Sequence, residues 1–240
     1  MDPEAHNHGE FLAGDATRPT WTKLRACQSF WQKFVSASLV LTWIATGYQI
    51  QWAVGPPPPF EWPNAKGARE DVAFVDDAIV RLLARGLISR VSKRPRCVNP
   101  LNVVSRRGKK RLILDLRLVN DHIRLDGTRF KFEGLKDAPY VLRQDDFMFK
   151  VDLEAAYHHV CMHRDSWEYL GFCWRDQYYV FRVLPFGLAT APWVFTKITR
   201  ELVGWWRAQR IRLIHYLDDF LFAVAWGADG SSRIFYEVRD

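Results

Sequence analysis

IRLIHYLDDFLFAV, residues 211–224, is two apolar runs meeting at a pair of carboxylates. Ile211 to Leu217 and Phe220 to Val224 have the β-branched and aromatic content of strands, so the stretch reads as a hairpin with Asp218 and Asp219 at its bend. Two adjacent negative charges in so apolar a setting require a compensating cation. Upstream, FMFKVD at 147–152 is a strand that would run into a buried sheet but ends on a lone carboxylate, Asp152. If the two strands are neighbours, three carboxylates converge on one sheet edge. That donor set suits magnesium, which takes a few carboxylates and completes its shell with substrate phosphates.

Two further Asp-Asp pairs serve as internal controls. Asp76-Asp77 lies in a stretch whose apolar residues Val75, Ile79, Leu82 and Leu83 recur at helical spacing, with Gly86 placed to stop the helix. Neighbouring residues on a helix point about 100° apart, so this pair cannot chelate and a solvated role is expected. Asp145-Asp146 follows Arg143 and Gln144 in a polar turn and is also expected to be structural.

Outward from these anchors, Leu101 to Ser105 and Arg111 to Leu116 predict a hairpin joined by the basic turn 106–110. Tyr169 to Trp174 and Tyr178 to Leu184 predict two more strands, and Thr190 to Arg207 a helix behind Pro185 and Gly187. Hairpins interleaved with helices indicate an α+β fold, helices layered against an antiparallel sheet. Residues 1–30 are expected to be a disordered leader, and 31–73 a Trp- and Pro-rich extension. Pro56 to Pro59 can only be extended; running into Phe60 and Trp62, it reads as a rigid connector packed by aromatics.

The 240 residues are 48% hydrophobic and 15% aromatic, enough for one large or two modest cores. Thirty-four Lys and Arg against 27 Asp and Glu give +7, which favours a polyanionic partner and makes nucleic acid the first to test. The four cysteines are scattered without a CxxC pair, as in reduced intracellular thiols. MDPEAHNHGE lacks the basic start of a secretion signal, and 38–54, with Gly47, Gln49 and Gln51, is too short and polar for a span. No membrane partner is expected. His158, His159 and His163 have no Cys or acidic partner at zinc-ligand spacing.

Four segments occur in a fixed order: RLILDLRLVN at 111–120, KVDLEAAYHHV at 150–160, LPFGLATAPWVFTKI at 184–198 and YLDD at 216–219. In that order and at about that spacing they resemble the fingers and palm motifs of reverse transcriptases. NPLNVV, KKRLILDLR and YLGFCW are similar to the retrotransposons that carry a tyrosine recombinase, the DIRS type. The resemblance spans about Phe74 to Val224 and implies a right-hand polymerase with fingers over 74–145, a palm over 146–225 and a divergent tail over 226–240, the thumb being absent. It implies RNA-directed DNA polymerase activity on an RNA or DNA template with primer, using dNTPs and two Mg²⁺ ions, for which Mn²⁺ can substitute.

Residue by residue, the resemblance makes Asp152, Asp218 and Asp219 the catalytic metal ligands, with the Leu153 carbonyl as an additional one. Tyr157 takes the position that blocks a ribonucleotide 2′-hydroxyl, and the amides of Ala155 and Ala156 face the triphosphate. Arg111, with Lys110 and Lys109 beside it, grips the triphosphate; Phe186 and Gly187 line the sugar and template. A solvated turn is the plain alternative for the basic tip, and core packing for Trp193, Phe195 and Ile198. No lysine follows Lys197, so the family's downstream proton donor has no counterpart. A non-catalytic nucleic-acid-binding relic and an RNA-dependent RNA polymerase are the rival readings.

Overall fold

The computed structural model describes residues 24–106, 108–128 and 130–225. Ten strands follow in order: β1 (Phe60–Glu61), β2 (Ile88–Val91), β3 (Cys97–Val98), β4 (Leu101–Arg106), β5 (Lys109–Leu114), β6 (Asp146–Asp152), β7 (Gly171–Trp174), β8 (Gln177–Phe181), β9 (Arg212–Tyr216) and β10 (Asp219–Ala225). They make a five-stranded sheet in the order β1-β3-β7-β8-β2, a three-stranded sheet β6-β10-β9, and the separate hairpin β4-β5. Three longer helices pack on them: α1 (Ser38–Thr46), α2 (Val72–Ala84) and α3 (Ala191–Ala208).

Each helix follows from its sequence. In α2, Val75, Ala78 and Ile79 are buried at i, i+3, i+4 spacing. Its end is set by Gly86 at φ +65°, with Gly86 N–H donating to Leu83 O (2.8 Å) and Leu87 N–H to Leu82 O (2.9 Å), a Schellman stop. Helix α3 begins with Pro192 in its first turn, where no N–H is missed, and buries Val194, Phe195, Ile198, Val203 and Trp206. Helix α1 buries Val40, Trp43 and Ile44 and ends at Gly47, φ +91°, where a Cβ would sit 2.7 Å from His163 N. Segment 38–54 is therefore protein core in its first half, and no helix among the described residues is long and apolar enough to cross a membrane.

The sheet and the proline connector depart from expectation. The five-stranded sheet is mixed, because β1 runs parallel to β3 and β3 parallel to β7. These contacts are only one or two residues long, and the extended proline run sets the direction of β1: Arg96 Nε donates to Pro57 O (3.0 Å) and Phe60 N–H to Arg96 O (3.1 Å). Phe60 packs on the core, whereas Trp62 is exposed, so only one of the two aromatics packs the connector. Residues 1–23 of the expected leader lie outside the described residues, but its end is helical, Gln28–Trp31. Aromatic packing orders it: Phe30 meets Phe34 and Trp205 edge-on at 5.2 and 5.6 Å.

The main core runs from Trp31 through α1, α2 and the five-stranded sheet to the first half of α3. A second core joins the last turns of α3 to the three-stranded sheet through Val203, Trp206, Ile211, Leu213, Phe220 and Phe222. Phe149 of β6 stacks on Phe222 of β10 at 4.9 Å, and Trp206 meets Phe220 and Phe222 edge-on. Fully burying each such side chain contributes about 1.5–3 kcal/mol. That burial fixes which face of the sheet turns inward, and hence which residues are left on the other.

Candidate active site

Alternation along β6 and β10 decides where the carboxylates go. Val151 and Phe149 face α3 with Phe220 and Phe222, so Lys150 and Asp152 share the opposite face with Leu221 and Asp219. The antiparallel register pairs Asp219 directly with Asp152. Across the other edge of β10, Asp219 pairs with Tyr216, which leaves Leu217 and Asp218 as a two-residue turn. Leu153 N–H donates to Asp218 O at 3.0 Å, tying that turn to the end of β6. The structure thus brings Asp152, Leu153, Asp218 and Asp219 to one corner.

The turn is strained. Leu217 has φ +54°, a conformation that hairpins normally give to Gly or Asn and that costs about 1–2 kcal/mol for a side chain of this kind. It is held from beneath by His215, 4% exposed, whose Nε2 lies 2.7 Å from Leu217 O; that bond places the ring proton on Nε2. Burial pushes the His215 pKa down, so the ring stays neutral, stacked 4.7 Å from Phe220. Glu133 completes the support, accepting from His215 N–H (2.9 Å) and from Arg207 Nη2 (2.7 Å). Burial opposes the Glu133 charge, but the Arg207 and His215 hydrogen bonds prevail and lower its pKa.

All three side chains present hard oxygens, the chemistry magnesium requires. Among the described residues, no three His, Cys, Asp or Glu side chains stand ready-made around one point. Like charges on neighbouring strands repel, and the nearest counter-charge belongs to the protein itself. Lys150 Nζ lies 2.7 Å from Asp219 Oδ1. The hydrogen bond and charge of Asp219 raise the Lys150 pKa, and the charges of Asp152 and Asp218 add to this. One ammonium therefore senses all three carboxylates, whose hard oxygens are of the chemical type that magnesium takes.

Tyr157 follows within the same corner. Burial first, and then the charge of Asp218, raises its pKa, so its hydroxyl stays protonated beside that carboxylate. Its ring lies 5.0 Å from Phe186, 49% exposed, and 5.6 Å from the buried Phe195. Gly187, φ +98°, is needed where it stands: a Cβ would come within 3.0 Å of Leu114 O. Asn120 clamps this loop, donating to Gly187 O (2.8 Å) and accepting from Ala189 N–H (2.9 Å). Ala155 is left-handed (φ +52°) and leads into a 3-10 turn, Ala156–His159, with Ala156 buried.

The basic residues stand apart, on the β4-β5 hairpin. Its strands extend further than the sequence suggests, to an Arg106–Lys109 pair, so Lys109 and Lys110 lie on β5 rather than in the turn. Lys110 Nζ is held 2.6 Å from Asp71 Oδ2 and lies over the Phe74 ring, 5.9 Å from its centroid. Arg111 is exposed and points to the opposite face of the strand. Lys110 is thus engaged against the start of α2, whereas Arg111 is presented outward.

One residue of each control pair, Asp76 and Asp146, has tertiary partners. Asp76 accepts from Trp174 Nε1 (2.8 Å) and from Arg175, and Asp77 pairs with Arg81 one turn on. Asp76 is thus more than solvated, whereas Asp77, 61% exposed, keeps the solvated place expected of it. Asp146, its side chain 4% exposed, takes two hydrogen bonds from Arg212 at 2.5 and 2.6 Å. Lys150, Asn120, His215 and Glu133 were missed as site residues. For Lys150 a signal existed, since i and i+2 on a strand share a face with Asp152; the partners of Asn120 and Glu133 lie 67 or more residues away and leave no local trace.

Residues 92–234 match the family model described as reverse transcriptase (RNA-dependent DNA polymerase). The chain belongs to that family. The match runs ten residues past Val224, where the sequence reading ends the resemblance; of those, 226–234 lie outside the described residues. The reverse transcriptase segment is 30% identical over 190 residues to the Pol polyprotein of equine infectious anemia virus (strain Wyoming), covering 75% of this chain and 16% of that protein. It is 23% identical over 124 residues to Polyprotein P3 of Commelina yellow mottle virus, covering 52% of this chain and 6% of that one. The prototype foamy virus protease-reverse transcriptase is similar in fold, with a TM-score of 0.60 at 21% identity, over 80% of this chain and 25% of that one. The chain thus spans a quarter or less of each relative's length.

Proposed function

We propose that this reverse transcriptase segment carries RNA-directed DNA polymerase chemistry, with its site at the corner formed by β6 and the β9-β10 turn. A primer 3′-hydroxyl attacks the α-phosphate of a dNTP paired to an RNA or DNA template, and pyrophosphate leaves. The observation that supports this most is the direct Asp152–Asp219 pairing beneath the Leu217-Asp218 turn, with Tyr157 beside Asp218.

Asp152, Asp218, Asp219 and the Leu153 carbonyl are the groups that would hold Mg²⁺ or Mn²⁺. Such ions, as a pair, neutralise the triphosphate and stabilise the attacking and leaving oxygens. The protein's own residues bind and exclude. Tyr157, braced by Phe186 and Phe195, stands as a wall against a 2′-hydroxyl, so dNTPs are preferred. The left-handed turn at Ala155 presents its own amide and that of Ala156 to anionic oxygens. Arg111, outward on the hairpin, supplies the planar cation for the triphosphate; Lys110 steadies the hairpin on Asp71.

In this reading residues 74–145 are the fingers and 146–225 the palm. The segments NPLNVV and YLGFCW support an origin in a DIRS-type retrotransposon. The test is primer extension on poly(rA)·oligo(dT) with magnesium and dTTP, beside an Asp218→Asn/Asp219→Asn control. Extension lost in the control supports the proposal; extension that survives removes these carboxylates from the chemistry.

A further inference from the structure

The ion pair between Lys150 and Asp219 is one the proposed polymerase mechanism does not use. Lys150 lies on the same face of β6 as Asp152 and reaches diagonally to Asp219, at 2.7 Å. The three aspartates form an acidic edge facing a single ammonium, and two of them are directly paired across strands. Lysine is a compact point charge on a flexible stem, with 61% of its side chain exposed here, so it can swing away without disturbing the sheet.

We propose that Lys150 is a tethered counter-ion that holds the aspartate corner together before the metal arrives, and that a divalent cation enters by exchange with its ammonium. The inference rests on the polymerase reading above and assigns a positioning role to a residue outside the ligand set. Its physical basis is charge. Without a cation the corner carries three negative charges on adjacent positions; with Lys150 in place it carries two. A divalent ion must displace the ammonium from Asp219, and the two cations repel while both are near. Exchange therefore lowers the corner's metal affinity, and in return the metal-free site keeps its shape.

The test is a Mn²⁺ titration, read by the loss of the free-ion electron paramagnetic resonance signal, on wild type, Lys150→Met, Lys150→Arg and Asp152→Asn, with thermal unfolding of each in EDTA and in Mn²⁺. Exchange requires Lys150→Met to bind Mn²⁺ about five-fold more tightly, the scale of breaking one exposed ion pair. The same variant should unfold at lower temperature in EDTA and recover in Mn²⁺, and Lys150→Arg, which keeps the charge, should restore an affinity close to wild type. Unchanged or weaker Mn²⁺ binding by Lys150→Met, with binding lost in Asp152→Asn, overturns the counter-ion role and leaves the polymerase site standing. Mn²⁺ binding indifferent to Asp152→Asn, or absent from every variant, overturns both.

Discussion

Asp152→Asn should stabilise the metal-free protein while abolishing its proposed chemistry, and the two effects can be measured separately. Asp152 is exposed and pairs directly with Asp219, with Asp218 in the adjoining turn. Directly opposite residues on antiparallel strands are about 5 Å apart. At that distance two like charges repel by about 0.8 kcal/mol in a water-like medium and by about 3 kcal/mol at an effective dielectric of 20. Asp152 faces Asp219 across the strands and Asp218 in the adjoining turn, and the charge of Lys150 offsets part of the repulsion expected between them. Net repulsion remains, and exposure keeps it near the lower value, so neutralising Asp152 should add about 1 kcal/mol. For a protein of this size that is a rise of about 2–4 °C in Tm. Calorimetry in EDTA reads the rise; with excess Mg²⁺ the wild type should gain stability and the variant should not. Primer extension should fall by about 10³-fold or more, the scale of losing several kcal/mol of metal-assisted stabilisation. A variant that melts below wild type in EDTA would refute the claim that Asp152 sits under net repulsion.

The Asp146→Asn variant should behave oppositely: it strips Arg212 of its paired carboxylate, and chemical denaturation should show a loss of stability, with Mn²⁺ affinity unchanged. Stability should also fall with acid, because burial, reinforced by the nearby charges of Arg85 and His159, pushes the His158 pKa down to about 4, whereas in the unfolded chain it returns to about 6.5. The folded ring stays neutral while the unfolded one takes a proton, so stability present above pH ~6.5 is lost progressively towards pH ~4, by about 3 kcal/mol; urea titrations at both ends should show this slope, and His158→Gln should flatten it. Tyr157→Ala opens the space beside Phe186 and Asp218, and should raise incorporation of rNTPs relative to dNTPs by tenfold or more, roughly 1.4 kcal/mol of relieved exclusion. Unaltered discrimination would remove Tyr157 from sugar selection.

What was legible in the sequence was whatever is written in local periodicity. Helix α2 and its Gly86 stop, the hairpin flanking Asp218, and the strand ending at Asp152 each carry their pattern within a dozen residues. The parallel contacts of β1 and β3 do not, because a two-residue strand has no period to read. Nor do side-chain partners drawn from afar: Asn120 meets Gly187 across 67 residues and Arg212 meets Asp146 across 66. The basic tip misled for a different reason. Composition showed a cluster of charge, but the two-residue period of β5 sends Lys110 to Asp71 and Arg111 the other way.

The same distinction explains why three Asp-Asp pairs have such different fates. Asp76, Asp77 and Asp146 are each met by an arginine, whose planar guanidinium stays charged at all relevant pH and can bond a carboxylate through two nitrogens, as Arg212 does. The Asp146 carboxylate is committed to the fold. At the β9-β10 turn the counter-charge is instead a lysine on an exposed stem, and it reaches one oxygen of Asp219. A point charge holds less firmly and can be exchanged. Strain points to the same corner: Leu217 is kept at a positive φ by His215 beneath it, in a turn where glycine would have been easier. Asp146 is locked by arginine into the fold, and the carboxylates proposed to serve the chemistry are left with a partner that can give way.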